Sequence, residues 1–422
     1  MNALPAGWRV LRLGDLAETA LGKMLDAARP KGILRVPYLR NVNVQWGRID
    51  TADVREIALN ADERDRFRLK TGDLLVCEGG EIGRAAIWRG RTEYMAYQKA
   101  LHRVQSRGDL DLTYLRYLLE YYADTGELRS RATGSTILHL PQQKLRELPV
   151  PLPPIAEQHR IVEALESNLS RLAAANVTLG GVLRKLDALL LAGISKVLFS
   201  SARWPSKRLA DVLETSIGGV WGSEPGVESV DVRVIRVTEL SKGGSIVPYS
   251  AASRSISDSQ LTTRTLRIDD LLLEKSGGGP TQAVGRVGLI EILESLSVCS
   301  NFMQLMRPNP SIVSARFLFW YLHGFYLRGG TKPMQKATTN IRNLKASEYV
   351  DQSIPIPSLQ EQQALVSTLD RLCLESERLR DQVREMLKRQ HNLRRALLAA
   401  AFNGRLIGSA PSADLPQELV DV

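Results

Sequence analysis

Pro151-Leu-Pro-Pro-Ile-Ala-Glu-Gln158 leads into a long amphipathic stretch, and 204 residues later Pro355-Ile-Pro-Ser-Leu-Gln-Glu-Gln362 leads into another. Clustered prolines suit a helix entrance, because proline has no N–H to lose in the first helical turn. Beyond the second octapeptide, Leu365, Leu369, Leu372, Ser376, Leu379, Val383, Met386, Gln390, Leu393, Leu397 and Ala400 alternate by four and three. This is the seam of a heptad repeat, with charged residues between the seam positions. Beyond the first, Ile161, Leu165, Asn168, Leu172, Ala175, Leu179, Val182, Leu186 and Leu189 keep the same spacing, and Ile194 and Val197 continue it after a one-residue slip. Each stretch predicts a helix of about 45 residues, roughly 65 Å long at 1.5 Å per residue. Two such helices in one chain are expected to pair with each other; packing on globular cores or on partner subunits is the alternative. Gly180-Gly181 marks where a kink would fall, since each glycine costs ~1 kcal/mol against alanine in a helix.

The segments before the two octapeptides also match. Leu13-Gly-Asp-Leu-Ala-Glu-Thr19 returns as Leu209-Ala-Asp-Val-Leu-Glu-Thr215, and Val36-Pro-Tyr-Leu-Arg40 as Val232-Arg-Val-Ile-Arg236. Leu69-Lys-Thr-Gly-Asp-Leu-Leu75 returns as Leu266-Arg-Ile-Asp-Asp-Leu-Leu272, and Gly83-Arg-Ala-Ala-Ile87 as Gly285-Arg-Val-Gly-Leu289. Matches in one order at a nearly constant offset identify a tandem duplication, a mixed segment followed by a helical one. Residues 1–154 and 201–354 form two globular domains. Residues 155–200 and 355–407 form two long helices, and 408–422 form a small, polar tail expected to be disordered. Within the domains, short runs such as Ile33 to Val36, Leu74 to Cys77 and Leu271 to Leu273 read as strands. Glu78-Gly79-Gly80 and the Gly-rich stretch from Ser276 read as turns. Leu112 to Tyr122 and Ser314 to Tyr326 carry Leu and aromatic residues at helical spacing and read as core helices. The fold class is thus α/β (α+β) with long helices and an internal pseudo-two-fold repeat.

Composition narrows the function. The chain has 422 residues, 56 of them Lys or Arg against 46 Asp or Glu, a formal net charge of +10. A hydrophobic content of 44% is that of an ordinary globular protein. The mixed segments carry +5 (24 basic against 19 acidic) and +4 (18 against 14), and the helical segments are nearly neutral. A local basic excess points toward a polyanion, most often nucleic acid; a merely basic soluble protein is the plain alternative. Cys77, Cys299 and Cys373 are scattered and odd in number, which argues against a disulfide scaffold and fits the reducing cytoplasm. The opening residues lack the basic and apolar regions of a secretory signal, and no run reaches the ~18–20 apolar residues of a membrane span.

Catalytic signatures are missing from the sequence. No Gly-x-x-x-x-Gly-Lys-Ser/Thr loop and no Gly-x-Ser-x-Gly elbow occurs, nor the Asn/Asp-Pro-Pro-aromatic tetrapeptide of DNA amino-methyltransferases. The five histidines have no metal-site spacing. His159 and His391 fall on the long helices and are expected to be solvated. Asp62-Glu63 and Asp269-Asp270 lie in hydrophilic stretches and read as solvated turns. The chain reads as non-catalytic, with no metal and no cofactor of its own.

Leu148-Pro-Val-Pro-Leu-Pro-Pro-Ile-Ala-Glu-Gln-His-Arg-Ile-Val162 resembles the junction entering the first conserved helix of the specificity subunits of type I restriction-modification systems. Ala400-Ala-Phe-Asn-Gly-Arg-Leu406 resembles the end of their second conserved helix. Leu4-Pro-Ala-Gly-Trp8 with Leu13-Gly-Asp-Leu16 resembles their start. The resemblance spans residues 4–407 and departs from the pattern at Gly180-Gly181 and at Ser358-Leu-Gln. It implies two target-recognition domains separated by an antiparallel coiled coil, each domain reading one half of a split, asymmetric site in double-stranded DNA. It also implies docking of two methyltransferase (modification) subunits, which methylate adenine N6 with S-adenosylmethionine. Translocase/endonuclease (restriction) subunits using ATP and Mg would join them.

Side chains able to fork to bases or phosphates are the candidate DNA contacts. In the first domain these are Arg40, Asn41, Asn43, Gln45, Arg48, Gln98, Lys99, Ser135, Thr136 and His139. In the second they are Arg236, Thr238, Lys242, Lys275, Ser276, Asn301, Lys336, Thr338, Thr339, Asn340 and Arg342. Arg40 and Arg236 are matched between the repeats, so a structural ion pair accounts for them equally well. Two rival classes stand beside this reading: a specificity-like DNA-binding subunit of another defence system, and a protein-only coiled-coil scaffold.

Overall fold

The computed structural model describes residues 4–24, 34–90, 94–134, 138–200, 204–277, 282–337 and 341–407. Four helices organise the cores: α1 (Leu112–Thr125), α2 (Ile155–Phe199), α3 (Ala315–Leu327) and α4 (Leu359–Phe402). The chain forms two compact units, one of residues 1–179 and 384–422, the other of residues 180–383. The sequence repeat and the compact unit therefore differ. Each unit takes the front of one long helix and the back of the other.

In the first unit a four-stranded antiparallel sheet runs in the order Ala17–Leu21, Leu101–Ser106, Leu74–Cys77, Ala85–Ile87. The central run Leu74-Leu-Val-Cys77 is apolar throughout because both of its faces are covered. Leu74 and Val76 join α1 in one core, with Ile161, Leu165 and Leu169 of α2 and Leu397, Leu398, Ala401 and Phe402 of α4. Leu75 and Cys77 join the other, against the sheet Arg55–Leu59, Leu34–Leu39, Ala96–Tyr97. The aromatic stripe of α1 is core: Tyr114, Tyr117 and Tyr122 are buried, and Tyr114 and Tyr122 donate to the carbonyls of Pro151 and Pro149, each at 2.6 Å.

The second unit repeats this plan. Its sheet runs Leu213–Gly218, Met303–Pro308, Leu271–Glu274, Val287–Leu289. Leu271 and Leu273 meet α3, Ile194 and Leu198 of α2, and Leu369 of α4, whereas Leu272 faces Cys299, Met303 and Leu305. In this unit Arg380 donates to Asp187 at 2.8 Å, and Leu372 packs on Gly193. Residue numbers rise on one helix as they fall on the other, so the two segments run antiparallel.

The expected seam holds at Leu369, Ser376, Val383 and Leu397 and fails at Leu379 and Met386, which are half exposed. Arg380 and Leu387 stand on the covered side instead. Leu189 is likewise exposed while Leu190 turns inward. A straight 3.6-residue helix drifts against a strict seven-residue repeat, and here the drift moves the second seam position by one residue. Helix α2 stays helical through Gly180-Gly181.

Two further expectations change. Asp270 is no solvated turn residue: it is buried, and it takes hydrogen bonds from the Arg267 amide at 2.7 Å and from Arg307 at 2.8 and 2.7 Å. Asp73 repeats the first of these with the Lys70 amide at 2.8 Å, and Gln105 replaces the arginine. Ser276 and Gly277 are strand and not turn, paired with Asn343 and Arg342. The stretch 408–422 lies outside the described residues.

The octapeptides explain themselves. Gln158 has no exposed surface; its amide nitrogen donates to the carbonyls of Pro153 (2.9 Å) and Asp109 (2.8 Å), and its oxygen accepts from the Asp111 amide (2.8 Å). Gln362 does the same with Pro357 (2.9 Å), Ile312 (3.1 Å) and the Ser314 amide (2.7 Å). Asp111 and Ser314 are the N-caps of α1 and α3, accepting from the amides of Tyr114 and Phe317. One buried glutamine per repeat thus ties the start of a long helix to the start of a core helix. Gln158→Leu or Gln362→Leu strands three buried polar groups, each worth about 1–3 kcal/mol when unpaired. Each variant is expected to lower the urea midpoint of unfolding strongly, whereas Gln363→Leu, on the exposed side, leaves it unchanged.

Candidate nucleic-acid interface

The same lattice of backbone hydrogen bonds joins five chain segments in each unit. In the first, Lys23 N donates to Tyr97 O (3.0 Å), Gln98 N to Leu39 O (3.0 Å), Glu78 N to Ala100 O (2.9 Å) and Leu140 N to Glu78 O (2.7 Å). In the second, Val220 N donates to Cys299 O (2.8 Å), Ser300 N to Ile235 O (2.8 Å), Lys275 N to Phe302 O (2.8 Å) and Leu344 N to Lys275 O (2.7 Å). Gly22 and Gly219 occupy one position of this lattice. A β-carbon on Gly22 would run into the carbonyls of Tyr97 and Gln98, and one on Gly219 into those of Cys299 and Ser300. Only glycine lets the backbones approach so closely.

This lattice gathers about half of the candidate residues. In the first unit it places Asn41, Gln98, Lys99 and His139 around Gly79-Gly80: His139 bridges to Gly79, and the Asn41 amide nitrogen lies near Gly80. Lys99 and His139 are exposed. In the second unit Thr238, Ser276 and Asn301 line one groove of about 480 Å³, with Arg236 at its wall. Lys275 precedes Ser276, and Lys336 and Arg342 lie on the two strands beside it. Ser276 shares a hydrogen bond with Asn343.

Other candidates hold the frame. Arg40 donates to the Asp53 carboxylate at 2.6 Å and to its carbonyl at 3.0 Å. Asn43 is buried and spends its side chain on the carbonyls of Asp50 and Asp53 and on the Arg40 amide. Arg236 donates to Glu239 at 2.6 Å and to the Ser250 carbonyl at 2.7 Å. Burial works against the ionised Glu239, but the hydrogen bonds from Arg236, Ser250 and Thr238 outweigh it and hold its carboxyl below the ordinary range. The matched arginines thus brace the turn that follows a strand in each unit.

The remaining candidates stand elsewhere. Gln45 and Arg48 lie on the small hairpin Val44–Gln45/Arg48–Ile49, where Gln45 donates to the Val42 carbonyl and Arg48 faces Asp50. Lys242 is on a separate turn, beside a cavity it shares with Arg286, Arg328 and Lys332. Ser135, Thr136, Thr338, Thr339 and Asn340 lie outside the described residues. Trp221, Phe302 and Ile341 also line the groove of the second unit and escaped the sequence reading. Aligning Ala100 with Phe302 through the repeat would have flagged the second of these.

The buried titratable groups behind these clusters are held uncharged. Burial pushes the Cys77 thiol up to about 11 and the Cys299 thiol to about 12, so both stay protonated. Burial pushes His102 down to about 4; it is neutral, with Nε2 2.9 Å from the Leu140 carbonyl. Among the described residues no group of His, Cys, Asp and Glu could hold a metal ion. Gly22→Ala and Gly219→Ala must spread the lattice. Each is expected to destabilise its unit and raise proteolysis at its rim, measured by limited digestion, whereas Gly226→Ala, facing open space, costs only its left-handed backbone strain.

A family model described as the type I restriction modification DNA specificity domain matches residues 5–175 and again 203–388. The chain is 24% identical over 319 residues to the type I restriction enzyme EcoBI specificity subunit of Escherichia coli, covering 68% of this chain and 65% of that protein. It is 22% identical to the StySPI specificity subunit of Salmonella potsdam, covering 96% of this chain and 90% of that one. Among solved structures, a chain from a study of complex assembly and conformational transition of the type I R-M system matches with a TM-score of 0.75 at 18% identity, covering 96% of this chain and 100% of that chain. The HsdS subunit of Thermoanaerobacter tengcongensis matches with a TM-score of 0.55 at 17% identity, covering 95% and 98%. With two copies of the specificity-domain model spanning most of its length, each ending in a glutamine-clamped helix, this chain belongs to the type I restriction modification DNA specificity family.

Proposed function

We propose that this chain is the sequence-specific DNA-recognition subunit of a type I restriction-modification complex, and that each unit reads one half of a bipartite, asymmetric site. One observation carries the reading. The same backbone lattice recurs in both units, but the side chains it presents differ: Asn41, Gln98, Lys99 and His139 in one, Thr238, Ser276 and Asn301 in the other. A constant frame with different hydrogen-bonding side chains is what two readers of unlike half-sites require. Lys99, Lys275 and Lys336 supply phosphate contacts that set register without reading sequence. Arg40, Asn43 and Arg236 support the readers from behind.

Helices α2 and α4, each continuous from one unit into the other, set the half-site spacing and dock two methyltransferase subunits. A linked second reader binds as an intramolecular event, so two modest readers act as one strong one. Adenine-N6 methylation with S-adenosylmethionine, and restriction with ATP and Mg, belong to the partner subunits, and this chain is non-catalytic. Among the described residues no helix is long and apolar enough to cross a membrane, and the three free thiols support a reducing cytoplasm as its place.

Binding is expected to weaken steeply with salt, and Lys99→Ala to shallow the slope by about one counterion. A flat response, measured by fluorescence anisotropy on duplex DNA, overturns the reading and favours a protein-only scaffold. Methylation mapping in cells carrying the complete system returns the bipartite site. Exchanging residues 205–350 for those of a relative should then change one half-site only; a change in both means that the units do not read independently.

A further inference from the structure

The groove of the second unit differs in character from the cluster in the first. Its walls are apolar: Trp221, Val237, Phe302 and Ile341 line it, and Phe302 and Ile341 are 47% and 45% exposed. The rim is polar, with the Thr238 and Ser276 hydroxyls and the Asn301 amide. Asn301 has no side-chain hydrogen bond among the described residues, and Lys275 forms no ion pair among them. Where the second unit has Asn301-Phe302, the first has Lys99-Ala100, each following the residue that bonds back to the end of the preceding strand. A large aromatic face left open to water costs free energy unless it meets an apolar surface.

The major-groove edges of the base pairs carry one apolar group, the C5-methyl of thymine, and it lies beside the O4 acceptor. A hollow with an aromatic wall and an amide donor at its rim is complementary to that pair of features. Resting on the DNA-reading function above, we propose that Phe302, with Trp221 and Val237, forms a thymine-methyl pocket, and that Asn301 donates to the same base. The half-site read by the second unit therefore contains at least one thymine whose methyl group is bound. The first unit has alanine, Ala100, at the place that matches Phe302.

The test uses the assembled methyltransferase complex and duplexes carrying its mapped site, with each thymine replaced singly by deoxyuridine, which removes the methyl and nothing else. At one thymine of the second unit's half-site, deoxyuridine is expected to weaken binding about fourfold, the worth of one buried methyl. Phe302→Ala should weaken binding to the normal site and abolish the thymine–uracil difference there, while Phe302→Leu retains most of it. Thymines in the other half-site should respond identically in both proteins. The Phe302 backbone supports the Lys275 and Ser276 amides in every variant, so the variants are expected to fold, with thermal unfolding as the check.

A half-site without thymine on either strand overturns the proposal. So does uracil insensitivity at every thymine, or a Phe302→Ala effect that simply adds to the uracil effect. Weaker subunit assembly with unchanged DNA binding would instead make the groove a protein contact and also overturns it. Failure of the unaltered complex to discriminate its site from random DNA brings down the DNA-reading function first.

Discussion

A buried glutamine amide cannot be left half satisfied, and the architecture follows from that constraint. Gln158 and Gln362, both fully buried, each close three hydrogen bonds to main-chain groups. The bonds join the proline-rich strand end and the first turn of a long helix to the capped start of a core helix about 50 residues earlier in the chain. Substituting an apolar residue would remove one partner from each bond and leave the main chain unpaired, the costly side of the hydrogen-bond balance. Because the clamp occurs once per repeat, both units enter their helical segments with the same local geometry.

Near each clamp a carboxylate ties the core helix of the unit to a long helix. Glu120 of α1 pairs with Arg394 of α4, donated by Nε at 2.9 Å, and Arg116 lies beside the same carboxylate. In the second unit, Asp370 of α4 takes hydrogen bonds from Arg316 (3.0 Å) and Trp320 (2.7 Å) of α3. The two pairs occupy different places in the repeat, since Asp370 stands where α2 has Glu166. At the sheet edge the arginine is kept and its partner changes: Arg286 pairs with Glu274, whereas Arg84, beside Cys77, donates to the Asn41 carbonyl.

Much of this was legible in the residues. Leu74-Leu-Val-Cys77 and Leu271-Leu-Leu are strands where their apolar runs placed them, and the Tyr- and Phe-rich stretches are core helices. Periodicity located both long helices, because burying one face of a helix requires a repeat near 3.6. It misjudged Leu379, Met386 and Leu189, because a repeat read as strictly seven ignores the slow rotation of the contact line. Asp270 was misread for a related reason: a carboxylate beside another in a polar stretch gives no sign that Arg307, on a different strand, comes to meet it.

The sequence by itself determined the duplication, the helical and mixed segments, the basic bias of the mixed segments and the lack of catalytic motifs. Each of these is a local or statistical property of residue order. Only the tertiary structure decided that the compact units straddle the repeat, since the packing of α2 on α4 depends on which residues meet across long stretches of chain, 193 positions in the case of Asp187 and Arg380. It also decided which polar side chains are already taken up by protein partners. Arg40, Asn43 and Arg236 look like DNA ligands in sequence and are spent on carbonyls and carboxylates in the fold, whereas Phe302, which nothing in the sequence singled out, stands half exposed beside Asn301. The physical reason is that hydrogen-bonding capacity belongs to a residue, but its availability depends on neighbours that folding brings from elsewhere in the chain.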